Sequence, residues 1–183
     1  MEILFYLFII IAIIFTGFIF YIVKVIKEDN WDKSLKFLNI MVKFGLVTFI
    51  IVQIILTTIA LFYINDGLLI FITVIKQIIT TTFFIFIYIK TVSLLENLNN
   101  NKIFLKDNSI LSKEIGLNFL YLSITEILVG FALGVMLYSS TGSFNIATNN
   151  TIFVYILIGL VLQIFSKILY KATEIHNENQ LTI

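Results

Sequence analysis

Long runs without a single charge constrain this chain most. Ile3–Val23 and Phe44–Asn65 carry none, and between Glu114 and Lys167 the only charge is Glu126. A helix needs ~20 consecutive apolar residues to cross the hydrocarbon core of a bilayer. Inside lipid no water is present to satisfy backbone N–H and C=O groups, so each run must pair them within itself, as a helix does. Sixty per cent of the 183 residues are hydrophobic and the mean hydropathy is +1.05, whereas a soluble domain is about half apolar. Transmembrane β-strands would show short alternating segments, and this chain has long unbroken ones. The expected fold is all-α: a polytopic helical membrane protein of about five transmembrane helices in a small bundle, with 1–183 as one membrane domain.

The spans are expected at about 3–26, 44–64, 68–89, 115–138 and 152–170. The first has only Glu2 ahead of it and no clear small-x-small site after it, so it reads as a retained helix and not as a cleaved signal. Asn65-Asp66-Gly67 is a compact turn signal between the second and third spans. Ser139–Thr151 is uncharged and rich in Ser, Thr, Gly and Asn, which marks a loop. In 27–43, Trp31, Leu35, Leu38 and Val42 recur at helical spacing. Two readings fit that segment: a short helix at the interface with Trp31 at headgroup depth, or a helical extension of the second span.

Orientation follows from the basic residues. All twelve are lysine. Eleven fall in alternate connections or in the last turn of a span beside them, as Lys24 and Lys167 do, and only Lys76 lies well within a span. Positive charge resists translocation, so lysine-bearing connections stay in the cytoplasm. Segments 27–43, 90–114 and 171–183 are therefore expected to be cytoplasmic, with the N-terminus outside and the C-terminus in the cytoplasm.

Composition also excludes function classes. A net charge of +1 gives no case for direct nucleic-acid binding. Without cysteine there is no disulfide, thiol nucleophile or thiolate metal site. His176 is the single histidine, and Glu174, His176 and Glu178 alternate too quickly to share one helical face. No nucleophile–base pair, phosphate-cradling glycine loop or zinc motif is present. The expectation is a protein that is not an enzyme, with no catalytic residues, no cofactor and no metal.

Lys76 and Glu126 are the ionisable groups well inside spans. An intramembrane charge costs at least ~2.5 kcal/mol and is a functional-site hypothesis by default. Lys76 lies ~12 Å and Glu126 ~18 Å from the outer ends of their spans at 1.5 Å per residue, and a lysine stem covers the difference. Three readings stay open: a structural ion pair, a ligand or ion site, and a lysine that snorkels to the interface. Glu126, Gly130 and Gly134 follow one another at four-residue spacing, where the glycines allow another helix to approach. Gln53, Gln77 and Gln163 are read as polar contacts between helices, and Thr57, Thr58 and Thr80 to Thr82 as hydroxyls bonded back to helical carbonyls.

Two further segments carry a resemblance. One is the loop Asn99-Asn100-Asn101-Lys102-Ile103-Phe104-Leu105-Lys106-Asp107-Asn108; the other is the tail Glu178-Asn179-Gln180-Leu181-Thr182-Ile183. Together they resemble the bacterial family known as domain of unknown function 2975. Its members are small, typically four-span proteins with a Lys/Gly-x-Phe and acidic-Asn loop, ending in Glu-Asn-Asp-Leu-Thr-Ile or Val. The resemblance covers about 32–183, which makes the first span an addition. Leu105 stands where a capping Ser or Thr is frequent, so Asp107 is expected to take over the cap, and Gln180 replaces the tail aspartate. Family genes often neighbour small helix-turn-helix regulators. The resemblance thus implies a bacterial cell-membrane protein acting as a non-enzymatic regulator or sensor with such a cytoplasmic partner. Phe104, Asp107, Asn108, Glu178, Asn179, Leu181, Thr182 and Ile183 are the candidate contact residues, with the tail folded on the loop, docked on a partner, or solvated. The alternative is a small transporter, channel or resistance/immunity protein, which Lys76 and Glu126 motivate. The expected partners are the bilayer, that regulatory protein and, left open, a second copy of the chain.

Overall fold

The computed structural model describes Lys24, Lys27 and residues 31–63, 66–142 and 150–181. Its elements are α1 (Trp31–Tyr63), α2 (Gly67–Asn99), α3 (Lys106–Thr141) and α4 (Asn150–Leu181). The chain divides into two units, 1–38 and 39–183. The first contributes Lys24, Lys27 and the opening turns of α1 to what is described. The second holds the rest of α1 with α2, α3 and α4, and the contacts described below lie in it.

Four helices among the described residues are long and apolar enough to cross a membrane, over Lys33–Ile55, Gly67–Asn99, Lys106–Met136 and Asn150–Gln180. The expected first span, about 3–26, lies outside the described residues. The helices also run further than expected. Of the polar stretch 90–114, only 100–105 is non-helical, and the tail from 171 continues α4 to Leu181. The 33 residues of α2 span ~50 Å at 1.5 Å per residue, against a hydrocarbon core of ~30 Å. The charged ends are therefore helix beyond the length a crossing requires, and not loop. With no proline in the chain, nothing forces a break where the apolar run stops. The same holds at the start of α1, where 31–43 runs unbroken into the apolar segment, so it is an extension of that span and not a separate interfacial helix.

Helix ends are fixed locally. Asp66 caps α2, its carboxylate accepting from the backbone N–H of Leu68 at 2.9 Å and of Leu69 at 3.3 Å. Gly142 ends α3 in the left-handed region (φ 71°), with its N–H bonded to Tyr138 O at 2.9 Å.

Burial is inverted relative to a water-soluble bundle. Phe71 and Ile78 on α2, Leu128 on α3 and Leu157 and Ile164 on α4 are exposed, while Ser109, Ser112, Ser123, Ser166 and Thr173 are buried. Outward aliphatic side chains and inward small polar ones suit lipid, where association depends on close packing and hydrogen bonds between helices.

Neighbouring helices run antiparallel, as the contact pairs Phe49–Phe84, Lys76–Glu126, Lys90–Glu114 and Ser109–Ser166 require. Helix α3 lies against both α2 and α4. At its seam with α4 two glycines meet: a Cβ on Gly116 would stand 2.9 Å from Gly159 O, and one on Gly159 would stand 2.7 Å from Leu120 Cγ. Hydrogen bonds stitch the same seam. Ser166 Oγ donates to Ser109 O (2.7 Å), Ser112 Oγ to Leu162 O (3.2 Å) and Gln163 Nε2 to Lys113 O (2.8 Å). Beside it Ile87, Ile115 and Leu122 form a small apolar core. Phe84 joins all four helices there, with ring centroids 4.3 Å from Phe49, 6.4 Å from Phe119 and 6.2 Å from Tyr155.

Gly116→Ala should lower the thermal unfolding temperature in detergent, at the ~1–3 kcal/mol typical of overpacking. Gly45→Ala is the control: a Cβ there meets nothing within 4 Å, and alanine is a better helix former by up to ~1 kcal/mol. Equal behaviour of the two variants would contradict the seam.

Candidate functional site

Polar chemistry concentrates at two levels of the bundle. The first is inside the apolar band. Lys76 Nζ on α2 lies 2.8 Å from Glu126 Oε2 on α3, and the side chains are 35% and 12% exposed. The antiparallel register brings them level, since both helices advance by the same rise per residue. Opposite charges at that separation cancel where solvation cannot help, so each carries the other through lipid. One turn from Lys76, Thr80 Oγ1 is buried with no hydrogen-bond partner among the described residues. Its neighbours follow the back-bonding pattern: Thr57, Thr58 and Thr82 donate to Gln53 O, Ile54 O and Ile78 O, each at 2.8 Å.

The three glutamines have different roles. Gln77 Oε1 lies 3.0 Å from Thr57 Oγ1 across α1 and α2. Gln53 borders an open groove of about 400 Å³ between those helices, together with Thr57, Gln77 and Thr81. Gln163 belongs to the α3–α4 seam. Gly130 and Gly134 are buried. The close helix approach that the structure defines is at Gly116 and Gly159, which the sequence reading did not select.

The second level is the lysine-bearing end. Lys90 and Glu114 form an ion pair between α2 and α3. Helix α2 closes in a Schellman arrangement: Lys102 N–H bonds to Asn97 O (2.9 Å) and Asn101 N–H to Leu98 O (3.1 Å), with Asn101 left-handed at φ 58°. Asparagine tolerates that conformation better than other side chains with a Cβ, which gives the asparagine run a structural purpose. Asn108 is fully buried. Its Nδ2 donates to Lys102 O (2.7 Å) and Ile103 O (2.9 Å), and its Oδ1 accepts from Asn97 Nδ2 at 2.8 Å. One amide thus holds the whole 100–105 turn against the start of α3. No side-chain hydrogen bond caps α3 at Leu105. Asp107 sits in the first turn, where its charge complements the helix dipole. The expected replacement cap is therefore absent, because Asn108 organises the turn from beneath.

Phe104, at the tip of this turn, stacks on His176 of α4, with centroids 4.4 Å apart and planes 19° from parallel. Gln180 Nε2 lies 3.0 Å from His176 Nε2 one turn further along. The loop and the far end of α4 are therefore one surface. Glu178 and Asn179 occupy exposed positions on the last turns of α4, which Leu181 ends. Thr182 and Ile183 lie outside the described residues. No cluster of three or more metal-ligating side chains occurs among the described residues.

Everything from the cap of α2 onward, residues 66–183, matches the family described as "Protein of unknown function (DUF2975)". The chain belongs to the DUF2975 family. No curated protein and no solved structure matches it. The match begins at Asp66, later than the boundary near 32 expected from the loop and tail. In this DUF2975 protein the family region contains α2, α3 and α4, hence both ion pairs and the loop–tail contact, while α1 precedes it.

Sequence reading overlooked the seam and the stack in this DUF2975 chain. A signal for the seam existed: Ser109, Ser112 and Gly116 on one helix, and Gly159, Gln163 and Ser166 on the other, repeat at three- and four-residue spacing. Nothing local marks Phe104 and His176 as partners, because 71 residues lie between them, and only the packing of α3 on α4 brings them together.

Lys76→Met and Glu126→Gln should each destabilise the folded protein by about 2–3 kcal/mol, the scale of an unpaired intramembrane charge. The double variant should unfold closer to the native temperature than either single one. Thermal melts of the four proteins in one detergent give this cycle, and additive losses would remove the pair from the account.

Proposed function

We propose that this DUF2975 protein is a non-catalytic membrane regulator or sensor of the bacterial cytoplasmic membrane. Its lysine-bearing end faces the cytoplasm and engages a cytoplasmic protein, for which a small helix-turn-helix regulator is the expected class. The first apolar run, about 3–26, supplies a fifth span in this reading and puts the N-terminus outside. The lysine distribution supports the orientation, because the connections on the other side carry none.

The contact between Phe104 and His176 carries the proposal. It ties the α2–α3 turn to the end of α4, so a shift of one transmembrane helix relative to another would change the surface offered to a partner. The Asn108 clamp keeps the turn rigid enough to transmit such a shift. The intramembrane ion pair favours this reading over transport: its two charges satisfy each other, and α2 and α3 run unbroken past it. Transport sites in many carriers instead lie at interrupted helices.

Two measurements test the proposal. The chain has no cysteine, so Lys102→Cys gives a single reporter. A membrane-impermeant maleimide should label it only after the cells are permeabilised; labelling of intact cells would reverse the orientation. Affinity purification of the full chain in mild detergent should recover a small DNA-binding protein. Phe104→Ala should reduce that recovery severalfold while the melting temperature stays near native. Unchanged recovery would remove the loop–tail surface as the contact.

A further inference from the structure

The lysine ammonium groups of the α3–α4 seam take no part in its hydrogen bonds. Between α3 and α4, just beyond the glycine seam, lies a groove of about 320 Å³ lined by Ser109, Ile110, Lys113, Ser166, Lys167, Tyr170 and Lys171. We propose that this groove binds the phosphate of an anionic phospholipid, with the acyl chains running back along the same two helix faces.

Charge is the first argument. Lys113 comes from α3, and Lys167 and Lys171 come from α4, so two helices contribute three lysines to the lining of one groove. A fourth, Lys106, stands at the rim with its Nζ 6.0 Å from the Tyr170 ring centroid. Glu174 engages Lys171 at 3.5 Å, and Glu114 is taken by Lys90. Lys106, Lys113 and Lys167 have no carboxylate within ion-pair distance among the described residues. Asp107 is the remaining acid near this end of α3, and it does not line the groove. A pocket with several cations and no lining carboxylate is complementary to a phosphate.

Depth is the second. Counting from Asn150, Lys167 lies ~26 Å and Lys171 ~32 Å along α4, which brackets the ~30 Å thickness of a hydrocarbon core. Residues 150–166 carry no charge, so Lys167 is where α4 first meets a charged layer. Tyr170 is the kind of side chain that settles at headgroup level.

Continuity with the apolar band is the third, and it selects a lipid over free phosphate. Leu117 follows Lys113 by four residues and Leu160 precedes Lys167 by seven. Those spacings keep each leucine on the face of its lysine, and Leu160 is exposed. The groove therefore opens towards the membrane interior along aliphatic side chains. Its walls cannot drift apart, because Ser166–Ser109, Gln163–Lys113 and the Gly116–Gly159 approach pin the helices one turn away.

Native mass spectrometry of the full, delipidated chain in detergent tests this. Dioleoylphosphatidylglycerol should remain bound at concentrations where dioleoylphosphatidylcholine, with identical chains, does not. Lys113→Gln with Lys167→Gln should weaken that retention by about tenfold or more, since each lysine near a headgroup contributes on the order of 1 kcal/mol. Lys43→Gln with Lys102→Gln, which removes the same charge elsewhere, should leave it unchanged. Arginine at 113 and 167 should preserve it. Equal retention of the two lipids, equal loss in both glutamine doubles, or loss with arginine would overturn the proposal. Inorganic phosphate displacing the lipid at equimolar concentration would also overturn it, by assigning the groove to a soluble anion.

Discussion

Close contact between two helical backbones, at Gly116 on α3 and Gly159 on α4, sets the geometry on which the rest depends. Side chains of ordinary size would hold the axes about 8–10 Å apart. Without a Cβ on either side, the helices approach until serine and glutamine side chains reach carbonyls across the seam. Those bonds are worth making because lipid offers the same groups no water. Once α3 and α4 are fixed in depth and register, their emergent ends are fixed too. The Phe104–His176 stack and the lysine-lined groove are consequences of that register.

Within the apolar band, polar side chains follow the rule that nothing charged faces hydrocarbon alone. The Lys76–Glu126 pair fastens α2 to α3, and Lys90–Glu114 fastens them again nearer the lysine-bearing end. The two pairs lie ~18–21 Å apart along their helices, far enough to resist both sliding and rotation. Phe84 does comparable work without charge, touching rings from α1, α3 and α4. The hydroxyl and amide contacts of Thr57 with Gln77 add a polar tie between α1 and α2. Register, more than hydrophobicity, is what these interactions specify, since every helix here is equally at home in lipid.

The lysine-bearing end has a different physical character. Its turn is short and held from inside by one buried asparagine. Its surface combines a loop tip, a helix terminus and a basic groove on one set of packed helix ends. The turn and the end of α4 expose polar groups, and the groove gathers lysines from two helices. Both features depend on how α3 lies against α4.

Much of this was legible in the residues themselves. Uncharged runs dictate helices, the spacing of Asp66 and Gly67 dictates a turn, and loop and tail motifs give the family, which the match over 66–183 establishes. Helix length was misjudged because the hydropathy change at 90 and 171 marks the edge of lipid, whereas a helix ends only where its hydrogen-bond ladder is broken. Asn108 could be singled out by motif, but not its task, since that needs the positions of Asn97, Lys102 and Ile103 around it. Sequence alone determined that these segments are helical and lipid-compatible, because both properties are summed residue by residue along the chain. Tertiary structure alone decided which small residues touch, which lysines share a groove and which ring meets His176, because those outcomes depend on the relative depth and rotation of separate helices.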